Sequence, residues 1–151
     1  MSPLNQQLLQ GAPWLFNELG FKVITDHYDP KAFGNCIVTL DSETLRANFV
    51  KDRGQILLYL APRLEPDNWQ GLVFILEAIQ GVQPAPRFEL EAVASLFREN
   101  YPALVEALGA KWQETRQELQ RLSGERLYVL QHPVRTTKPH SKFSWLRRIF
   151  H

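Results

Sequence analysis

The first half of the chain alternates apolar and polar residues in four short stretches, at residues 21–28, 35–40, 45–50 and 55–60. Each stretch has the length of a typical strand, and a period of two is the pattern of a half-buried sheet. The alternation places nine apolar side chains on one face, namely Cys36, Val38, Leu40, Leu45, Ala47, Phe49, Ile56, Leu58 and Leu60. On the opposite face, Arg46 and Asn48 are expected to point to water, whereas Leu57 and Tyr59 indicate that this face is partly covered.

Turn residues separate these stretches, which favours a meander of four antiparallel strands. The first connection contains Asp29-Pro30 and Phe33-Gly34-Asn35, and the second is Asp41-Ser42-Glu43-Thr44. The third, Asp52-Arg53-Gly54, fits a type I turn with Gly54 left-handed in a bulge.

Helical spacing marks the segments on either side of the strands. Residues 4–19 have this spacing, but Gly11 and Pro13 interrupt it, so we expect two short helices or one that starts near Ala12. A further helix, expected to start at Pro66-Asp67 and to stop at Gly81, is predicted by the apolar positions Trp69, Leu72, Val73, Leu76 and Ile79.

The third part of the chain carries a regular apolar stripe. A helix is expected to begin near Glu89, and Pro102 should end or kink it. Beyond Asn100, positions spaced 4-3-4-3-4-3 are occupied by Tyr101, Val105, Leu108, Trp112, Thr115, Leu119 and Leu122. This is the a/d pattern of a coiled-coil seam. We favour packing of the stripe on the protein's own sheet, because three heptads are at the lower limit for a coiled coil, and a homodimer through a helix over residues 101–122 is the other hypothesis.

Length and charge define the expected organisation. With 151 residues, of which 44% are hydrophobic and 22% charged, the chain has the size and composition of one globular domain. We predict an α+β fold, with an antiparallel sheet of about four strands, helices packed on one face and two layers. Leu58, Phe49, Trp69 and Leu76 are expected to share the core.

Residues 1–124 carry 11 Lys/Arg and 15 Asp/Glu whereas residues 125–151 carry 6 and 1, which divides the chain into an α+β domain and a basic C-terminal tail.

The chain has no motif from which a reaction can be named. It lacks a glycine-rich phosphate loop, a Gly-x-Ser-x-Gly elbow and a Cys-x-x-Cys pair, and its four histidines do not have the spacing of metal ligands. Cys36, the only cysteine, is expected in the core. A single cysteine, without an export or transmembrane segment, indicates a cytoplasmic protein. We therefore expect no catalytic residue, cofactor or metal, with an enzyme of unrecognised site as the third hypothesis on function.

Asp52-Arg53-Gly54-Gln55 is the most polar cluster of the strand region. A carboxylate beside a guanidinium on a loop can bind a ligand, but aspartate and glycine are also what a hairpin turn requires. Asp52 and Arg53 are candidate binding residues, and the functional interpretation rests on Arg53.

The same region carries a resemblance. Phe33-Gly34-Asn35, together with Phe49-Val50-Lys51-Asp52-Arg53-Gly54-Gln55 and a tryptophan-containing helix that ends in glycine, resembles small uncharacterised bacterial proteins, some of immunity type. The resemblance covers roughly residues 33–81. Its motifs are strand and turn residues, so they bear on fold, and no functional residue is carried over.

The basic tail supplies the other candidate binding residues, Lys142, Trp145, Arg147 and Arg148. Three hypotheses are open: the tail docks on its own domain, it binds an anionic membrane surface, or it binds a partner or nucleic acid. Since candidate surfaces are present and catalytic motifs are not, we predict a non-enzymatic bacterial protein-binding module, an immunity-like antagonist or adaptor. The alternative is a peripheral binder of anionic membrane or nucleic acid that acts through the tail.

Overall fold

An antiparallel sheet and five helices make up the part of the chain that the computed structural model describes, which is the backbone of residues 1–131 and the side chains of residues 1–126. This architecture confirms the predicted α+β class. In chain order the elements are α1 (Pro3–Gly11), α2 (Trp14–Asn17), β1 (Lys22–Asp29), β2 (Asn35–Asp41), β3 (Leu45–Asp52), β4 (Gln55–Pro62), β5 (Gln70–Gly71), α3 (Leu72–Gln80), α4 (Leu90–Leu108) and α5 (Trp112–Gln131).

Two short helices precede the sheet, as the interruptions in the N-terminal segment predicted. Ser2 caps α1, because its hydroxyl accepts the Asn5 backbone N–H at 3.1 Å, and Pro3 occupies the first turn, where no helical N–H is needed. The backbone N–H of Ser2 donates to the Asp26 carboxylate at 2.9 Å. This bond fixes the start of the chain to β1.

The sheet is a meander in the order β1-β2-β3-β4-β5, and each strand is antiparallel to its neighbours. The four predicted strands are confirmed, and β5 is an additional two-residue strand that pairs with Tyr59 and Leu60 of β4. Because this pairing keeps Gln70–Gly71 extended, α3 begins at Leu72 and not at Pro66-Asp67 as expected.

The apolar face of the sheet, which we call the inner face, packs against the helices. All nine side chains assigned to it by the alternation are buried, and they form one core with residues from every described helix. Trp69 is not in this core, contrary to expectation, because it precedes β5 and therefore lies outside α3. It is partly exposed beside Arg46, whose guanidinium carbon is 5.4 Å from the indole ring centre. Trp112 of α5, 2% exposed, is buried in the core instead.

Pro102 does not end α4, which continues through it to Leu108. Pro102 has no backbone N–H, so the helix loses one hydrogen bond at this point. Because the proline ring is exposed, it does not disturb the buried face of α4, and the packing of that face keeps the helix intact. The helix ends instead at Gly109. A Cβ at Gly109 would lie 2.7 Å from the Val105 carbonyl oxygen, so a side chain there would force the backbone to move.

The apolar stripe is divided between two helices, because the break after α4 separates Leu108 from Trp112. Residues 101–122 therefore do not form the single helix that the spacing predicted. Leu108, Trp112 and Leu119 are at most 3% exposed and belong to the inner core, so these positions pack within the chain. Homodimerisation through the stripe stays a prediction, and it would have to use its partly exposed positions, such as Tyr101 and Leu122.

Helix α5 continues through Gly124 to Gln131. The step in charge at residue 124 therefore falls inside a helix and not at its end. The backbone of α5 includes Leu127, Tyr128 and Val129, so these residues do not form a further strand of the sheet.

The opposite face of the sheet, which we call the outer face, is also buried near its centre. Ile37 and Val50, which are 3% and 0% exposed, form a second apolar cluster with the partly buried Leu57 and Tyr59. The expectation for Asn48 is wrong, because this residue is 1% exposed and does not point to water. A strict alternation of buried and solvated faces therefore fails at the middle of the sheet.

Candidate binding surface

Two connections of the meander lie at the same end of the sheet, because alternate hairpins of an antiparallel meander turn at one end. The first is the β1–β2 loop, residues 30–34, and the second is the β3–β4 turn of Arg53 and Gly54. Asn35 joins them, since its side-chain oxygen accepts the Arg53 backbone N–H at 2.9 Å. Asn35 is 5% exposed, so little water competes for this bond. The two turns are thereby held in a fixed relation.

The β3–β4 turn is a two-residue hairpin, because Asp52 pairs with Gln55. Arg53 and Gly54 both have left-handed backbones, with φ of 51° and 83°. Two left-handed residues in succession make a type I′ turn, whose twist matches that of the flanking strands. Left-handed Gly54 is confirmed, whereas the predicted type I turn with a bulge is wrong.

An aromatic ring and a guanidinium meet at this end of the sheet. The Arg53 guanidinium carbon is 5.3 Å from the Phe33 ring centre, which is the geometry of a cation–π contact. Phe33 is 77% exposed, and its φ of 56° is left-handed like that of Arg53. A left-handed backbone costs roughly 1 kcal/mol or more for a residue with a Cβ, and such strain concentrates at functional sites. We call Phe33 and Arg53 the turn patch.

The structure brings Arg53 together with Phe33 and not with Asp52. Asp52 is 4% exposed, and its side chain belongs to the outer face, where its Oδ1 makes no hydrogen bond to any described residue. Within residues 1–126, no salt bridge joins Asp52 to Arg53. The other candidate binding residues lie outside the described part of the chain: Lys142, Trp145, Arg147 and Arg148.

A groove with a volume of about 580 Å³ adjoins the turn patch at Gly54. Its lining mixes charge signs, with Lys51 from β3 and Glu91 from α4, and it includes the apolar ring of Phe88. A smaller groove of about 290 Å³ runs along the β4 edge, and its lining is mostly apolar. The larger groove extends the surface that a partner at the turn patch would contact.

Three observations on the described residues bear on catalysis and membrane insertion. Cys36 is buried as expected, and burial raises the pKa of its thiol, which keeps it protonated and weakly nucleophilic. Among the residues with described side chains, no three His, Cys, Asp or Glu residues are grouped so as to hold a metal ion. No described helix combines the length and apolar character needed to cross a bilayer.

No protein-family model, curated protein or solved structure matches the chain. Apart from the resemblance of residues 33–81, the functional proposal therefore rests on the geometry of the chain itself.

Sequence reasoning selected Arg53 but missed Phe33 as a binding residue, treating it only as part of a turn. The available signal was a large aromatic residue directly before Gly34, inside a loop between two strands. Loop aromatics are exposed more often than strand aromatics, because loops run over the surface.

Proposed function

We propose that the chain is a non-enzymatic bacterial protein-binding module of the cytoplasm, an immunity-like antagonist or adaptor, and that the turn patch is the centre of its binding surface. The observation that carries this proposal is the contact of the exposed Phe33 ring with the Arg53 guanidinium on two fixed left-handed turns. The resemblance of residues 33–81 to small bacterial proteins, some of immunity type, supports the same role.

Arginine and aromatic residues fit the centre of a protein interface for physical reasons. They provide large contact areas with few rotatable bonds to immobilise, and arginine is among the residues most enriched at interface hot spots. The hairpin turns and the Arg53 N–H bond to Asn35 fix the backbone before binding, which reduces the entropic cost of association. A fixed, exposed pair of this kind suits recognition better than catalysis, because neither a phenyl ring nor a guanidinium transfers a proton near pH 7.

The experiment is affinity capture with the full chain as bait, followed by mass spectrometry and measurement of the Kd for each reproducible protein partner. Two bait variants carry Phe33→Asn or Arg53→Asn, because asparagine tolerates a left-handed backbone and should leave the turns intact. Each substitution is expected to weaken binding by about 2 kcal/mol, which is roughly a 30-fold increase in Kd.

Leu64→Ser provides the matched control, since Leu64 is equally exposed, at 76%, but lies in the connection that follows β4. The control should retain the partner. Loss of binding in all three variants, or retention in all three, would refute the assignment of the turn patch. Capture of a small metabolite in place of a protein would favour the enzyme hypothesis.

A second candidate function rests on the net charge of residues 125–151, which carry six Lys/Arg and one Asp/Glu. A peripheral binder would use these cations on anionic lipid or nucleic acid, and its affinity would fall steeply with salt. Flotation with phosphatidylglycerol vesicles and retention on duplex DNA, each at two salt concentrations, test this alternative.

A further inference from the structure

The outer face of the sheet is buried to a degree that the described helices do not explain. Thr39 and Asn48 are 7% and 1% exposed, and the neighbouring Ile37 and Val50 are 3% and 0% exposed. Every described helix contributes to the inner core, whereas the outer cluster consists of strand residues only. A sheet face open to water would leave such side chains substantially accessible. A further layer over the outer face would account for this burial.

Polar atoms on this face indicate what that layer provides. Asn48 Oδ1 and Asp52 Oδ1 are buried without a hydrogen bond to any described residue, and buried acceptors normally have donors. Burial, with a smaller contribution from the Asp52 carboxylate, raises the pKa of the Tyr59 phenol. A layer over this face should therefore supply N–H or O–H donors to Asn48 and Asp52.

The chain continues for 20 residues after Gln131, and their composition fits this requirement. Residues 132–151 contain five Lys/Arg and no Asp or Glu, whereas residues 1–131 contain 12 Lys/Arg and 16 Asp/Glu. The segment also has apolar residues to cover Ile37 and Val50: Phe143, Trp145, Leu146, Ile149 and Phe150. Aromatic and aliphatic residues at this density are rarely left in water.

The end of α5 lies where such a segment can reach the outer face. The Arg126 guanidinium carbon is 4.5 Å from the Phe74 ring centre, and Arg126 also pairs with Glu77 of α3. Helix α3 follows directly on β5, the strand at that edge of the sheet. Twenty residues span up to about 66 Å when extended, and four strand spacings amount to only about 19 Å. The segment can therefore pass around this edge and cross the whole sheet.

We propose that residues 132–151 dock on the outer face of their own sheet and form the third layer of the fold. The proposal is independent of the turn patch, because it concerns a different surface, and it competes with the peripheral-binder alternative, which would use the same residues. Covalent attachment favours this occupant over a second copy or another protein, since a tethered segment acts at an effective concentration in the millimolar range.

Thiol labelling of the full chain tests the proposal. The reporter is Val50→Cys in a Cys36→Ala background, and it is compared with the same protein carrying Trp145→Ser, Ile149→Ser and Phe150→Ser. If the tail covers the outer face, the serine substitutions should accelerate labelling of the reporter about tenfold or more, because labelling requires the face to open.

The native Cys36 thiol serves as the internal control. It is 0% exposed on the inner face, beneath the helices, so its labelling rate should not change when the three serines are introduced without Val50→Cys. Equal acceleration at both thiols would show that the serines loosen the whole fold, and would overturn the assignment to one face.

Three further outcomes would also overturn the proposal. Fast labelling of the reporter with the natural tail would show an open face, and slow labelling with the serine tail would show a different cover. Slower labelling at a roughly hundredfold higher protein concentration would show that a second copy covers the face, since cover by the tail does not depend on concentration.

Discussion

Replacing Arg53 by asparagine should stabilise the fold while it weakens binding. Arg53 has a φ of 51° at the first position of a type I′ turn, followed by Gly54 at 83°. Asparagine followed by glycine is the preferred pair for this turn, because both residues accept the left-handed backbone. The hydrogen bond from residue 53 to Asn35 uses the backbone N–H, so the substitution leaves it in place.

The magnitude follows from two opposed contributions. Relief of the left-handed strain should add about 1 kcal/mol to the free energy of unfolding. Loss of the cation–π contact with the exposed Phe33 ring, at 5.3 Å, should subtract about 0.5 kcal/mol. We expect a net gain of about 0.5 kcal/mol in the natural chain and about 1 kcal/mol in a Phe33→Asn background, where no contact remains to be lost.

Urea unfolding followed by circular dichroism measures both values as a double-mutant cycle. With a slope of about 2 kcal/mol per molar urea, the midpoint should rise by about 0.25 M in the natural chain and about 0.5 M in the Phe33→Asn background. Arg87→Asn, at an exposed arginine outside these turns, should change stability by less than about 0.5 kcal/mol. Destabilisation by Arg53→Asn in both backgrounds would refute the strain argument, and equal gains in both would show that the Phe33 contact contributes nothing.

Other predictions concern the core, the thiol and the stripe. Phe49→Ala should lower the free energy of unfolding by about 3–5 kcal/mol, and Trp69→Ala should lower it by less. Equal losses of unfolding free energy in the two variants, measured by urea unfolding, would show that Trp69 packs in the core. Cys36 should react slowly with thiol reagents until the chain unfolds. Burial raises the pKa of the Cys36 thiol, so the protonated thiol is favoured in the folded state. The contribution of Cys36 to the free energy of unfolding is therefore complete below the ordinary cysteine pKa of about 8.5 and falls as the pH rises further. Cys36→Ala should remove this loss of stability at alkaline pH. Leu108→Lys with Leu119→Lys should abolish the cooperative unfolding transition, whereas a folded monomer produced from a dimer in light scattering would support a dimer seam.

The inner face was predictable because its period is local. Each of the strands β2, β3 and β4 carries its own alternation, and the helical layer requires nothing more specific than an apolar surface. By contrast, β5 has only two residues and no period of its own, so its pairing with Tyr59 and Leu60 is a tertiary effect. The late start of α3 and the position of Trp69 outside the core both follow from that pairing.

The turn patch was predictable only in part, because it depends on strand register. Pairing of Asp52 with Gln55 leaves two residues in the turn and forces Arg53 into the left-handed region. A slip of one residue would give the turn with a bulge that the sequence also allowed. The contact with Phe33 arises from a second hairpin and has no local signature.

Most of the departures from local rules in the described chain lie on the sheet, although Asn5 Oδ1 on α1 is also buried without a hydrogen bond. Phe33 and Arg53 are non-glycine residues with positive φ, and Asn48 and Asp52 are buried polar residues with unsatisfied oxygens. All four lie on the first four strands or their turns, whereas the inner face of β2, β3 and β4 follows the alternation. Folding stability alone disfavours each departure, since each costs free energy that a routine substitution would recover. Retaining them is reasonable where a partner or a further segment of the chain supplies the compensating contacts, which is the common basis of the proposals for the turn patch and for the outer face.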